Sequence, residues 1–363
     1  MKKHKIKKIV KISLLTLLGM ILTLSTTGFL IIHTYINKMN LVKDNLVHEV
    51  TEYSMDTDLE ETDEYILEGT PEITNSPQEE IDKLEKAILE NTEENDNELK
   101  NNDEVYNILL IGSDSREAGD SGRSDAMIIL SINEKSKKII LTSLLRDVYL
   151  KIPGRKNNRI NAAYSYGGAT LLIETIEENF KIDIDKYVSI DFYAFIDAVD
   201  SIDGINLEIT EKDIPIINYY IKEINQHYGI DENTDLLTKA GSYSFNGKQT
   251  LGFVRNRYNG TDFRRTERQR EVIQKVFDKI KGLKLSRIKQ LLDKVLPQVT
   301  TNLTKKKIVS LLISLPAYKN YEIEQWNIPM EGSYSFLTID RMSVIQIDFD
   351  KNINELHRKV YGD

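Results

Sequence analysis

At 363 residues, with 40% hydrophobic and 29% charged side chains, the chain can bury a substantial core and has an ordinary globular composition. It has no cysteine, which excludes disulfides, a lipid-modified cysteine and thiol catalysis together. The formal net charge of −9 is uneven: residues 1–50 hold 8 basic and 2 acidic side chains, residues 51–104 hold 3 and 20, and residues 105–363 hold 37 and 35. The C-terminal part, at net +2, lacks the basic excess of a DNA-binding domain.

Lys2, Lys3, Lys5, Lys7, Lys8 and Lys11 crowd the start of the chain, and Ile12 to Ile32 then run for 21 residues without a charge. At a rise of roughly 1.5 Å per residue such a run spans about 31 Å, the thickness of a bilayer core. A cleaved signal peptide has a shorter apolar stretch and a small-residue cleavage site, whereas bulky Ile31, Ile32, His33 and Tyr35 close this one. The expectation is a cytoplasmic tail at 1–11, a single-pass anchor at 12–32 and everything beyond it outside the cell.

Residues 33–104 read as an acidic extracytoplasmic linker. Glu60-Glu61, Glu79-Glu80 and Glu93-Glu94 repel one another and no apolar period is sustained, although a short helix fits Glu79–Leu89. From Val105 the texture changes. Val105–Ile111, Ala126–Ile132 and Lys138–Leu145 are short, apolar and β-branched, and the turn at Asn133–Ser136 joins the last two as a hairpin. The spacing predicts helices at Ala169–Asn179 and Phe192–Val199, and strands at Tyr187–Ile190, Ile205–Ile209 and Leu251–Arg257. Helices follow at Arg264–Lys281, Ser286–Leu296 and Lys305–Ser314, with a late strand at Tyr321–Ile328. Interleaved strands and helices predict an α/β domain over 105–363, a mixed central sheet flanked by helices and preceded by the anchor helix.

Three places carry chemistry. The loop after the first strand holds Asp114, Arg116, Arg123 and Asp125, and ligands of α/β folds gather at strand ends. Two carboxylates there suit Mg²⁺, with Mn²⁺ as the alternative, although a polar loop of caps and ion pairs has the same composition. Arg146-Asp147 closes the third strand: the arginine is a ligand or a partnered end-of-strand charge, and Asp147 would orient it. The densest group is Arg255, Arg257, Asp262, Arg264, Arg265, Arg268, Gln269 and Arg270. On a strand, Arg255 and Arg257 share a face; on a helix, Arg265 meets Arg268 and Gln269. A solvated basic face usually mixes lysine with alternating signs, whereas six arginines match phosphate oxygens two at a time. None of the five histidines sits in a motif, and there is no G-x-S-x-G, Walker or H-E-x-x-H signature. Aspartate and arginine without histidine or cysteine point to phosphoryl chemistry, which depends on positioning and charge stabilisation.

These segments together resemble the LytR–CpsA–Psr family of bacterial cell-wall enzymes. The resemblance is carried by Ile108–Arg116, Arg123–Asp125, Arg146-Asp147, Arg159–Tyr164 with Gly167-Gly168, Phe245–Gln249, Phe253–Arg257 and Asp262–Gln269, in order over residues 105–280. It implies a phosphotransferase that moves a glycan phosphate (teichoic acid, capsular or related polymer) from an undecaprenyl-pyrophosphate carrier onto peptidoglycan and releases undecaprenyl phosphate. It further implies Mg²⁺ on Asp114 and Asp125, and a lipid tail in an apolar tunnel. Arg123, Arg146, Arg255, Arg257, Arg265 and Gln269 would hold the pyrophosphate. Asp114, Arg146 and Arg255 would take the catalytic roles, with Arg116, Asp147, Asn161, Asp262 and Arg268 in support. Asp114 or Asp262 is the candidate base. Two residues depart from the family pattern: Leu145 stands where proline usually precedes the strand-end arginine, and Arg264 where a small residue usually precedes Arg265. A pyrophosphatase using water as acceptor would need the same residues, and a non-enzymatic wall-polymer or headgroup-binding module would dispense with metal and aspartates. A DNA-binding regulator is opposed by the topology, which puts the arginines in the wrong compartment.

Overall fold

The computed structural model describes residues 34, 36–42, 74–94, 99–113, 122–256 and 262–362. Among them no helix is long and apolar enough to cross a membrane, and the apolar run at 12–32 lies outside the described residues. In chain order the elements are β1 (Asn40–Leu41), α1 (Gln78–Leu89), β2 (Val105–Ser113), β3 (Ser124–Asn133), β4 (Lys138–Leu144), β5 (Tyr149–Leu150), β6 (Asn158–Arg159), α2 (Ile160–Phe180), β7 (Lys186–Asp191), α3 (Phe192–Ser201) and β8 (Ile205–Ile209). They continue with α4 (Ile214–His227), β9 (Gly241–Phe245), α5 (Gly247–Arg255), α6 (Asp262–Lys281), α7 (Leu285–Val295), β10 (Thr300–Thr301), α8 (Lys305–Tyr318), β11 (Glu322–Ile328), β12 (Tyr334–Ile339), β13 (Met342–Ile347) and α9 (Phe349–Tyr361).

Seven strands form one mixed sheet in the order β1-β10-β7-β2-β3-β4-β11. β2, β3 and β4 run antiparallel, while β7 lies parallel to β2 and β11 parallel to β4. The mixed α/β sheet flanked by helices is therefore as the sequence predicts. Side chains alternate across a strand, and the two faces meet different partners. Leu109, Ile111, Met127 and Ile129 join Leu172, Ile176 and Phe180 of α2, Leu356 and Val360 of α9, and Leu84 and Ile88 of α1 in the main core. A second core lies among α3–α7, from Ile196, Ile217, Ile221, Phe245, Leu251 and Val272. The opposite sheet face, with Leu110, Ile128, Val188 and Ile190, does not merge with that second core; a cavity separates them.

Three sequence expectations change. Part of the supposed linker is structural: Leu84 and Ile88 of α1 are fully buried, and Asn40–Leu41 pair with Thr300–Thr301. The acidic stretch between β1 and α1 thus starts and ends on the domain. Where a strand is expected at Leu251–Arg257, Leu251–Arg255 is helical, because Asn246 and Gln249 cap one another's backbone amides and start α5. The helix expected at Ala169–Asn179 is present to Phe180 but has an added N-terminal part: a helical stretch from Ile160 precedes it across a break at Gly167-Gly168, where Gly168 takes φ +62°.

Candidate active site

The cavity holds about 450 Å³ and has two chemically distinct ends. One is apolar, walled by Leu110, Ile128, Val188, Phe195, Leu251 and Val272. The other is cationic, lined by Arg123, Arg146, Arg159, Arg255, Arg265 and Arg341, of which Arg146, Arg255 and Arg265 act on Asp125.

Asp125 reaches this position through a strand irregularity. Gly112 pairs with Ala126 but Ser113 with Ser124, so Asp125 is the extra residue of a bulge. Gly112 suits the crowding, since a Cβ there would stand 3.2 Å from that of Ala126. Arg146 Nη1 donates to Asp125 Oδ1 at 2.9 Å, and Arg265 Nη1 lies 3.8 Å from the same oxygen. Burial alone would raise the Asp125 pKa. The positive charges of Arg146, Arg265 and Arg255, with the Arg146 hydrogen bond, outweigh burial and hold the carboxyl below the usual carboxylate range. Asp147 is shared, its Oδ1 standing 3.5 Å from both Arg146 Nε and Arg159 Nη1. The Asn161 amide donates to the Arg146 carbonyl at 3.3 Å and ties α2 to this loop.

The other wall comes from α5 and α6. Gly247 lets α5 lie against α3: a Cβ there would meet the Ile196 carbonyl oxygen at 2.4 Å and its Cα at 2.7 Å. This packing carries Arg255, at the last turn, to the cavity. Its guanidinium lies 4.1 Å from the centre of the Tyr220 ring and 4.8 Å from that of Phe192, and Nη1 pairs with Glu223 at 3.1 Å. Stacking fixes the plane of the fork at little entropic cost. On α6, helical spacing sends Arg265, Gln269 and Val272 inward, with Gln269 Nε2 donating to the Asp125 carbonyl at 3.3 Å. Arg265 is only 2% exposed.

The grouping of Arg268 with Arg265 needs correcting. Arg268 turns to the other side of α6, where it bonds the Asn256 carbonyl and pairs with Asp213 at 3.2 Å, pinning the end of α5. Arg270 is buried against β4, donating to Ser143 Oγ at 2.9 Å. Asp114, Arg116 and Arg257 lie outside the described residues, and Asp262 is the first residue of α6. The pairing of Arg255 with Arg257 across one strand face fails with the strand itself.

Sequence reasoning gave no role to several participants. Arg159, quoted only as part of the Arg159–Tyr164 motif, lines the cavity, and so does Asp191, whose carboxylate caps α3 at the Ala194 amide. The aromatic clamp of Arg255 comes from α3 and α4, which carried no chemical signal. Arg341 arrives from the turn between β12 and β13, with an exposed side chain, and nothing in its local sequence marks it.

The described residues contain no group of three or more His, Asp or Glu placed to hold a metal. An ionised carboxylate is the donor chemistry that hard cations take, so Asp125 fits Mg²⁺ or Mn²⁺. Its proposed partner, Asp114, lies outside the described residues.

The chain is similar to several characterised bacterial proteins. It is 33% identical over 253 residues to Biofilm regulatory protein A of Streptococcus mutans, the match covering 64% of this chain and 60% of that relative, so less than two thirds of its length. It is 31% identical to the polyisoprenyl-teichoic acid–peptidoglycan teichoic acid transferase TagU of Oceanobacillus iheyensis, over 67% of this chain and 74% of that one. Among solved structures, TagT bound to LI-WTA superposes with a TM-score of 0.58 at 25% identity, covering 74% of this chain and 94% of TagT, a protein known from Bacillus subtilis. A Streptococcus agalactiae protein superposes with a TM-score of 0.59 at 30% identity, over 71% and 87% of the two chains. The model of the LytR_cpsA_psr family matches residues 37–358, from β1 into α9. The chain belongs to the LytR–CpsA–Psr family.

Proposed function

We propose that this protein is a membrane-anchored phosphotransferase. It moves a glycan phosphate from a polyprenyl-pyrophosphate carrier to a hydroxyl of peptidoglycan and releases polyprenyl phosphate. The observation that carries this reading is the single cavity with an apolar end and an arginine-lined end, the shape an isoprenoid pyrophosphate requires. The names of the relatives support the same substrate class.

In the reaction, the acceptor hydroxyl oxygen bonds to the glycan-side phosphorus as the bridging P–O bond breaks. The hydroxyl proton goes to a base and the electron pair leaves on the polyprenyl phosphate. Arg146, Arg255 and Arg265, with Arg123 and Gln269, hold the pyrophosphate and stabilise charge on the leaving group; one pair at 4 Å and an effective dielectric near 20 is worth about 4 kcal/mol before desolvation. Asp125 is a poor base because its arginine neighbours hold its pKa down and so weaken its affinity for a proton; it orients Arg146, and together with Asp114 it would hold Mg²⁺. When bound, the cation neutralises pyrophosphate charge. Asp114 and Asp262 are the candidates for the base.

The test is full-length protein in detergent, given synthetic polyprenyl-pyrophosphate glycan and peptidoglycan oligomers, with Mg²⁺ or with EDTA. The proposal expects polyprenyl phosphate and a glycan–peptidoglycan conjugate in equal amounts, both lost in Arg255→Ala. Free phosphorylated glycan without conjugate would instead establish a hydrolase, and no release at all a binding module.

A further inference from the structure

We propose that α8 is a bilayer-contact surface that seats the domain directly on anionic lipid, with Ile313 entering the headgroup region. The inference rests on the membrane reading above and adds to it where the domain touches the bilayer.

The first observation is how little chain separates the apolar run from the fold. The run ends at Ile32, and Ile36 is already buried at 3% exposure. Lys38 pairs with Asp293 of α7, the Asn40 amide donates to the Val299 carbonyl at 3.0 Å, and the Val42 amide donates to Thr301 at 2.9 Å. Four residues reach at most about 14 Å. On the membrane reading the anchor would therefore end within that reach of Ile36, and at the start of α8 the Lys305 ammonium bonds Asn37. The acidic stretch enters the chain only after β1, so it does not lengthen this connection.

The second observation is the character of α8. Its exposed positions include Lys305, Lys306, Ser310, Ile313, Pro316 and Ala317, and Ile313 is 71% exposed. No acidic residue occurs from Lys305 to Tyr318. Lys307 lies over the Tyr106 ring, 3.2 Å from its centre, which fixes the helix against β2. Lysines at one end and an exposed bulky apolar side chain in the middle are what an interfacial helix presents to anionic headgroups. The third observation concerns use. β10 also pairs with β7, whose Val188 lines the apolar end of the cavity. At roughly 4.8 Å per strand step, that wall stands about 10 Å from the strand that follows the anchor. Docking through α8 places the apolar end of the cavity beside the source of a lipid substrate.

The protein has no cysteine, so single probes can be placed without background. Full-length Ile313→Cys and Asp350→Cys, each carrying an environment-sensitive fluorophore, are reconstituted into phosphatidylglycerol–phosphatidylcholine vesicles. Acyl-chain nitroxide lipids should quench the Ile313→Cys probe at least threefold more than the Asp350→Cys probe on α9, with soluble iodide giving the reverse order. Adding Lys306→Glu should halve the lipid quenching. Equal quenching at the two positions overturns the proposal, as does an Ile313→Cys probe shielded from both quenchers, which would mean that protein covers the helix. Alkaline carbonate extraction separates the two readings. A chain that is stripped off refutes the anchor itself, whereas a retained chain with a solvent-quenched probe refutes only the docking of α8.

Discussion

The charge balance around Asp125 can be tested by Asp125→Asn, a nearly isosteric change that removes one negative charge from among Arg146, Arg265 and Arg255. Neither the Asp125 side chain nor that of Arg146 is more than 17% exposed, and Arg265 is 2% exposed. Removing one partner of such a buried pair costs roughly 3–5 kcal/mol, because the remaining charges stay desolvated. For a domain of this size that is a fall of roughly 5–10 °C in Tm at pH 7. The pH dependence gives the sharper check. Asp125 titrates lower in the folded protein than in the unfolded chain, so its contribution is present above the unfolded value of about 3.9 and is lost as pH falls through the folded value. The gap between wild type and variant should be full at pH 5–7 and shrink below about pH 4. Inorganic pyrophosphate should raise the variant's Tm more than the wild type's, since the anion supplies the missing counter-charge. Thermal melts of both proteins from pH 3 to 7 read all three effects. A gap under about 1 kcal/mol at pH 7, or one that stays constant to pH 3, would refute the claim that these arginines depend on Asp125.

Three further outcomes follow from the geometry. Arg255→Lys keeps the charge but loses the planar fork between Phe192 and Tyr220, and should lower kcat/KM in the transferase assay by roughly tenfold or more, about 1.4 kcal/mol. Gly247→Ala forces a methyl group onto the Ile196 backbone and should destabilise the protein by about 1–3 kcal/mol in denaturant titrations; an unchanged midpoint would mean that α5 and α3 are not so closely packed. Arg341→Ala, at an exposed turn, should leave Tm within a degree or so of wild type while raising KM for the polyprenyl-pyrophosphate glycan donor, since it removes a cation from the cavity lining. An unchanged KM would remove Arg341 from the site.

Much of this protein is legible before folding. Strands with β-branched runs at 105–111, 126–132 and 138–145 announce a sheet because backbone period and burial alone dictate them. The helices at 192–199 and 264–281 are equally local, and so is the excess of arginine over lysine at 255–270, a composition suited to phosphate oxygens. The sequence also carries the signal for α5: Asn246 and Gln249 stand three apart as a capping box, which outweighs the strand-like Leu251–Val254. Other decisions belong to tertiary structure. Arg268 and Arg265 differ by three positions on one helix, yet one binds Asp213 and the other Asp125, because the helix is pressed between α5 and the sheet. Arg341 joins the site from a distant hairpin, and Asn40–Leu41 joins the sheet from the short stretch that precedes the acidic segment, since strand pairing brings together residues far apart in the chain. Composition and periodicity set most of the strands and helices and the local store of arginine. Which charges face one another across a cavity is set by packing, because an interaction that decays with distance depends on where the chain has folded and not on its order.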